Sequence, residues 1–283
     1  MEFLHALTQY AFLQHALIAG LLAGVVCGII GSFVVVRRIA TISGAIAHFV
    51  LAGLGAARWL QVVHDQQWAD PMLGAVVAAL VAAVVIGLVS LRAGEREDTA
   101  IGALWAIGMA VGILFIARTP GYNEDLMSYL FGNVLLVGAD DLKLMALLDL
   151  VVIGCCVTLF ARLQAVCFDE EFARVRGIRV ELDYLLLLSL IALTVVLLVS
   201  VVGIVLVIAL LTLPAAIAGR FTSTLAGMMG LAALLSMAFT SIGLAVSYGP
   251  DLPAGATTIA IAGLAYVAVI GIGALRRSLS RRR

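Results

Sequence analysis

The chain has 283 residues, of which 64% are hydrophobic and only 12% charged, with 17 basic and 17 acidic side chains that cancel. Soluble domains run at about 45–50% apolar and about 25% charged, so this composition excludes an ordinary soluble domain and leaves a polytopic membrane protein. The four cysteines (Cys27, Cys155, Cys156, Cys167) lie in or beside apolar stretches, without the number or spacing of a disulfide framework or a zinc site, and read as buried small hydrophobes.

A hydrocarbon core about 30 Å thick needs about 20 apolar residues as helix. The start, Met1 to His5, lacks the basic segment of a cleavable signal peptide. The first predicted span covers 11–36, where Gly20, Gly24, Gly28 and Ser32 recur every four residues on one face. Small residues at that spacing let membrane helices approach backbone to backbone. Spans near 42–63, 72–92 and 100–118 follow. Residues 124–138 are too short to cross and read as a re-entrant half-helix or a surface helix. Spans near 142–166, 182–201, 203–219, 223–247 and 254–275 bring the total to nine. Only Val202-Gly203 separates the pair 182–201 and 203–219, so the expectation is an all-α bundle of about eight to nine spans. It forms one domain over 1–283, with a basic tail at 276–283. Pro214 falls inside a span, where it removes one backbone hydrogen bond; with Thr212 it marks either a hinge or plain helix irregularity.

Basic residues orient this map. One set of loops holds Arg37, Arg38, Arg92, Arg96, Arg162, Arg174, Arg176, Arg179, Arg220, Arg276, Arg277, Arg281, Arg282 and Arg283, against Arg58, Arg118 and Lys143 on the other side. The positive-inside rule places the first set in the cytoplasm of a multi-pass protein of the cell (inner or plasma) membrane. With nine spans the N-terminus lies outside and the C-terminus inside.

A charged island, Asp169-Glu170-Glu171-Phe172-Ala173-Arg174-Val175-Arg176-Gly177, interrupts the apolar sequence and falls on the cytoplasmic side. Acids lead and bases follow, which suits a helix dipole, and Gly177 is placed to end the helix. Phe172 and Val175 suit anchoring in a groove of a soluble partner, with the charges setting register. An ordinary solvated loop fits the residues equally well.

Ionisable groups inside spans are few. His48 is the sharpest candidate for contact with a metal, because imidazole binds divalent transition metals and an intramembrane histidine usually faces the bundle interior or a water-filled path. Residues 44, 47, 48 and 51 share a helical face, and Gly44 and Ala47 leave room beside the ring. A histidine bonded to a neighbouring helix is the competing reading. Asp149 lies about two turns inside its span and either lines a path or pairs with a neighbour. His15, near the outer end of the first span, reads as solvent-facing. Met109, Met127 and Met145 read as core filling before soft-metal ligands. Glu124, Asp125, Asp140 and Asp141 either draw cations to the outer mouth, meet basic residues of a partner, or form a polar loop. Arg96, Glu97 and Asp98 precede the fourth span, the acids as N-terminal capping groups.

Three segments together resemble the membrane permease subunit of the zinc/manganese/iron family of ABC importers. The first runs from Phe12-Leu13-Gln14-His15 through Gly31-Ser32-Phe33-Val34-Val35-Val36-Arg37-Arg38 to Ile42-Ser43-Gly44-Ala45-Ile46-Ala47-His48. The second is Arg96-Glu97-Asp98-Thr99-Ala100-Ile101-Gly102. The third runs from Cys167-Phe168-Asp169-Glu170 through Gly177, Val205 and Pro214-Ala215-Ala216 to Asp251-Leu252-Pro253-Ala254-Gly255.

The resemblance implies a fold similar to the vitamin B12 and siderophore importer permeases, in a homodimer with the pathway on its two-fold axis. It implies a cytoplasmic ABC ATPase dimer and an extracytoplasmic metal-binding protein as partners. It makes the segment 168–178 the cytoplasmic coupling helix, with Asp169, Glu170, Glu171, Phe172, Arg174, Arg176 and Gly177 as ATPase-coupling residues. His48 occupies the position of a family histidine on the metal pathway. The family pattern has Gly-Asp where this chain has Ser43-Gly44, so the carboxylate one turn before His48 is missing, and Ser43 is a poor replacement for it.

The expected function is a permease subunit moving zinc, manganese or ferrous iron, with no resident cofactor and no nucleic-acid partner. The chain has no G-x-x-x-x-G-K-[ST] loop, so ATP hydrolysis is expected on another subunit. The alternative is a stand-alone secondary transporter or channel for a small cation. That class needs several buried ionisable groups or broken helices at the midplane, and the deep candidates here are only His48 and Asp149. A membrane-embedded enzyme lacks any supporting motif.

Overall fold

A computed structural model describes residues 2–92, 97–120, 132 and 137–280. Its described residues form twelve helices and no strand: α1 (Glu2–Gln9), α2 (Ala11–Arg37), α3 (Ala40–Val63), α4 (Pro71–Arg92), α5 (Glu97–Arg118), α6 (Ala139–Thr158), α7 (Phe160–Phe168), α8 (Glu170–Val175), α9 (Val180–Val202), α10 (Ile204–Ala218), α11 (Leu225–Tyr248) and α12 (Ala254–Ser280). Seven of them (α2, α3, α4, α5, α9, α11 and α12) are long and apolar enough to cross a membrane. The expected half-helix at 124–138 falls outside the described residues except for 132, 137 and 138, and Arg96, Glu124, Asp125 and Met127 lie outside them too.

Two expected spans have a different shape. The span predicted over 142–166 is α6 and α7, bent by 72° at Leu159, and it makes an eighth crossing if the pair counts as one. Thr158 Oγ1 donates to the carbonyls of Gly154 at 2.8 Å and Cys155 at 3.2 Å, a back-bond that bends helices. Beyond the bend, fully buried Leu163 and Val166 seat α7 on the bundle. The second is 203–219, whose helix α10 has only 15 residues and is about 22 Å long, short of a bilayer core. It starts after Gly203, at φ 85° and ψ 157°, a backbone region that only glycine enters readily. A β-carbon on Gly31 of α2 would lie 2.3 Å from the Leu211 carbonyl oxygen, and Val35 and Val36 pack with Ala215 and Ala218. α10 therefore runs beside α2 in the same direction and begins roughly level with the Gly24 turn, within the apolar layer. The chain continues through Pro214 as one helix, so the break in this stretch is at Gly203.

α2 is the central post. A β-carbon on Gly28 would lie 2.2 Å from the Ala233 nitrogen, one on Gly24 2.8 Å from the Met237 nitrogen, and one on Gly20 3.2 Å from Thr240 Cβ. The glycine row thus seats α11 directly on the α2 backbone, and Thr240 Oγ1 donates to the Gly20 carbonyl at 3.2 Å. Ser32 instead bonds its own helix at Gly28 O, 2.7 Å away, and Gly31 takes the contact with α10. α3 is held in the same way by α5, since a β-carbon on Gly108 would lie 2.5 Å from Phe49 Cα and one on Gly112 2.7 Å from the Leu51 carbonyl carbon.

The polar contacts sort to two ends. At one end Arg37 pairs with Glu170 and lies over the Tyr184 ring at 5.3 Å, Arg162 forks onto Asp183, and Arg174 pairs with Glu181. At the other, Phe3 meets Tyr248 edge to face, and Trp59 packs on Phe115. There the half-buried His15 Nδ1 lies 3.1 Å from the Val137 carbonyl, so this ring ties α2 to the approach to α6 and is not simply solvent-facing.

Candidate functional site

His48 sits two turns into α3 and is 8% exposed. Its ring stacks on Trp105 of α5, with centroids 4.4 Å apart and planes 22° apart. Its Nδ1 is buried and has no hydrogen-bond partner among the described residues. The close α3–α5 packing fixes this register, because the glycines at 108 and 112 let the two helices run in contact above the stacked pair. A β-carbon on Gly44 would come within 2.9 Å of Trp105 Cζ3, with Ile208 of α10 at 3.7 Å. The space that a side chain at 44 would use is therefore filled by indole. Ser43 is fully buried, and its Oγ donates back to the Ala40 carbonyl at 2.8 Å, within its own helix.

Asp149, 4% exposed on α6, leaves Oδ2 without a partner among the described residues. It neighbours Cys27 of α2, whereas His48 faces Trp105 of α5. The structure thus places the two intramembrane ionisable groups against different helices. The described residues hold no group of three or more His, Cys, Asp and Glu side chains arranged for a metal. Met145, one turn before Asp149 on α6, is a buried core residue. Asp140 and Asp141 serve the start of α6: Asp140 pairs with Lys143 at 2.8 Å, and Asp141 accepts from the Gly138 nitrogen at 2.9 Å. Asp98 lies in the first turn of α5, where an acid suits the helix dipole.

The charged island folds as a short helix, α8. Asp169 caps it, accepting from the Phe172 nitrogen at 2.9 Å. Gly177, at φ 77°, closes it: its nitrogen donates to the Arg174 carbonyl and the Ile178 nitrogen to the Ala173 carbonyl, each at 3.0 Å, which is a Schellman turn. Ala173 is fully buried and seats the helix on the bundle. Glu170 is taken by Arg37 and Arg174 by Glu181, so two of the island's charges fasten it from α2 and α9. It presents two apolar side chains outward, Phe172 at 50% and Val175 at 87% exposed, flanked by the exposed Glu171, Arg174 and Arg176. Arg176 lies over the Phe172 ring at 5.2 Å. A β-carbon on Gly177 meets no atom within 4 Å, so the cost of Gly177→Ala is the left-handed backbone alone, about 1–2 kcal/mol. Hydrogen exchange at 170–178 is expected to quicken about tenfold while the spans keep their protection; unchanged exchange would show that the turn does not hold this element.

Sequence reading missed Trp105, Arg37, Glu181 and Asp183. Trp105 carries no signal of its own in an apolar run, and Arg37 counts there only as one more positive charge.

An all-helical membrane bundle with a pinned, exposed amphipathic helix at its basic end has the architecture of a membrane transport subunit. The sequence profile of the ABC 3 transport family matches residues 9–272, and the chain belongs to that family. It is 40% identical to a probable metal transport system membrane protein of Chlamydia pneumoniae, over 89% of this chain and 85% of that one. It is 35% identical to the manganese transport system membrane protein MntC of Halalkalibacterium halodurans, over 92% and 87%. Among solved structures, PsaBC from Streptococcus pneumoniae in complex with Fab superposes with a TM-score of 0.83 at 29% identity, covering 95% of this chain and 94% of that one.

Proposed function

We propose that this chain is the membrane permease subunit of an ATP-binding-cassette importer for a divalent transition-metal ion. Two copies form the pathway, two cytoplasmic ATPase subunits grip α8, and an extracytoplasmic binding protein delivers the ion at the opposite end. The basic end is cytoplasmic, which puts the N-terminus outside and the C-terminus inside. The observation that carries the reading is α8 itself, fastened to the bundle by its charges and offering Phe172 and Val175 to a partner. The metal assignment is supported by the family and by the metal and manganese systems in which its relatives are named. Zinc, manganese and ferrous iron share nitrogen and oxygen ligands and are separated by geometry, so all three remain in the substrate class.

The ion's contact within the bundle is His48, the buried imidazole whose Nδ1 is unclaimed by the described residues. Asp149 stands apart from it on α6 and serves as a separate polar contact. The test is ATP-dependent uptake into proteoliposomes holding permease, ATPase and binding protein, over a panel of Mn²⁺, Zn²⁺ and Fe²⁺. Uptake of one or more of them is expected, falling several-fold in His48→Ala with the ATPase still bound. No uptake of any metal defeats the metal reading, and wild-type uptake by His48→Ala assigns the imidazole to packing.

A further inference from the structure

We infer that Trp105 is the gate and specificity-determining residue of the pathway: its indole closes over His48 and occupies the place where a second metal ligand at position 44 would stand. The inference rests on the role of His48 proposed above and adds a residue from a different helix. Three measurements converge on it. The indole and imidazole are stacked at 4.4 Å, so a face of the only buried histidine among the described residues is covered by carbon. A β-carbon at 44 would approach the same indole to 2.9 Å at Cζ3 and 3.2 Å at Cη2, so Trp105 spans both positions of the i, i+4 pair. Ile208 of α10, 3.7 Å from that β-carbon, closes the third side.

The chemistry follows from this placement. Two ligands at i and i+4 lie on one helical face and hold a metal between them. Here position 44 has no side chain, and an aromatic ring fills the gap, so His48 offers one neutral nitrogen and no charge partner. A cation meeting this layer finds a single imidazole and the face of an indole, whose quadrupole attracts cations weakly. That suits a point of passage: contact favourable enough to enter and weak enough to leave. With the rings stacked the layer is shut, and a rotation of Trp105 off His48 opens it. Trp105 is half-buried at the α3–α5 seam, and the exposed Gly102, a turn before it on α5, has nothing within 4 Å of its β position.

The decisive experiment uses the assembled complex in proteoliposomes and five permeases: the parent, Trp105→Ala, Trp105→Phe, Gly44→Asp, and Gly44→Asp with Trp105→Ala. Trp105→Ala is expected to raise ATP-independent Mn²⁺ leak several-fold, and Trp105→Phe, which keeps an aromatic lid, to leak like the parent. Gly44→Asp alone is expected to push the indole tip aside, since its β-carbon would lie 2.9 Å from Cζ3, and to lower the melting temperature of the permease. Gly44→Asp with Trp105→Ala is expected to recover that melting temperature, to bind Mn²⁺ several-fold more tightly than the parent, and to turn over more slowly as the ion is held between Asp and His48. Trp105 also reports on itself. In the permease purified by itself with Trp59→Phe and Trp68→Phe it is the single tryptophan, and its emission is expected to be quenched by Mn²⁺ or Co²⁺, with the quench lost in His48→Ala. A parent-like leak from a well-assembled Trp105→Ala, a parent-like melting temperature of Gly44→Asp with Trp105 present, or emission indifferent to metal and to His48 each overturns the inference. If the parent complex transports metal and these variants still behave like it, the gate assignment alone falls; if the parent transports no metal, the reading of the function falls with it.

Discussion

Phe172→Ala combined with Val175→Ser is expected to abolish the stimulation of ATP hydrolysis that the permease gives its ATPase, while the bundle stays folded. Both side chains are exposed, at 50% and 87%, on an element whose attachment does not use them. The Asp169 cap, the buried Ala173, the Schellman turn at Gly177 and the ion pairs Arg37–Glu170 and Arg174–Glu181 all survive the change. Apolar and aromatic anchors at the centre of a protein interface carry about 2 kcal/mol or more when truncated, which is at least about thirtyfold in affinity. The check is ATPase rate in nanodiscs with and without metal-loaded binding protein, alongside the melting temperature of the permease alone. Stimulation equal to the parent's would remove α8 from the coupling path. A lower melting temperature would show that the two side chains pack in the bundle after all.

Gly28→Leu is expected to be the most damaging single change to the fold. The new β-carbon would lie 2.2 Å from the Ala233 nitrogen and 2.3 Å from its Cα, both backbone atoms of α11. A side-chain clash can be relieved by a rotamer; this one requires α2 and α11 to separate along their length. Overpacking of this kind costs about 3 kcal/mol or more. The expected readout is loss of the monodisperse species in detergent and a lower SDS concentration for unfolding. Gly230→Ala is the control: it lies on the same α11, has nothing within 4 Å of its β position, and is expected to behave like the parent. Equal stability of the Gly28 and Gly230 variants would show that the α2–α11 contact is looser than the structure describes.

The glycine row shows how far a sequence reaches. Gly20, Gly24 and Gly28 announce close packing by their spacing, yet spacing does not say against what, and Ser32, the fourth in the row, turns out to bond its own helix. The island at 169–177 is legible down to its cap and its terminal glycine, because those are local rules of helix ends. Which of its charges face a partner is not legible: Glu170 and Arg174 are spent on Arg37 and Glu181, which lie far away or in the next helix. His48 stands out as an ionisable group in an apolar run, but Trp105, the ring that covers it, lies 57 positions further on in a stretch with no polar mark.

Composition and charge placement by themselves determined that this is a helical membrane protein, which of its loops share a side, and that an amphipathic element at 169–177 must stand in water. Those properties depend on local hydropathy and on charge near the chain, which solvent and lipid sort without regard to the fold. Only the tertiary structure decided that the 142–166 segment bends at Leu159, that α10 begins within the apolar layer at Gly203, and that an indole fills the gap beside His48. The first two have a local element, the Thr158 back-bond and the Gly203 backbone, but in all three the outcome is set by packing between helices distant in sequence, and a membrane supplies no hydrophobic contrast between one apolar helix face and another to reveal such contacts in advance.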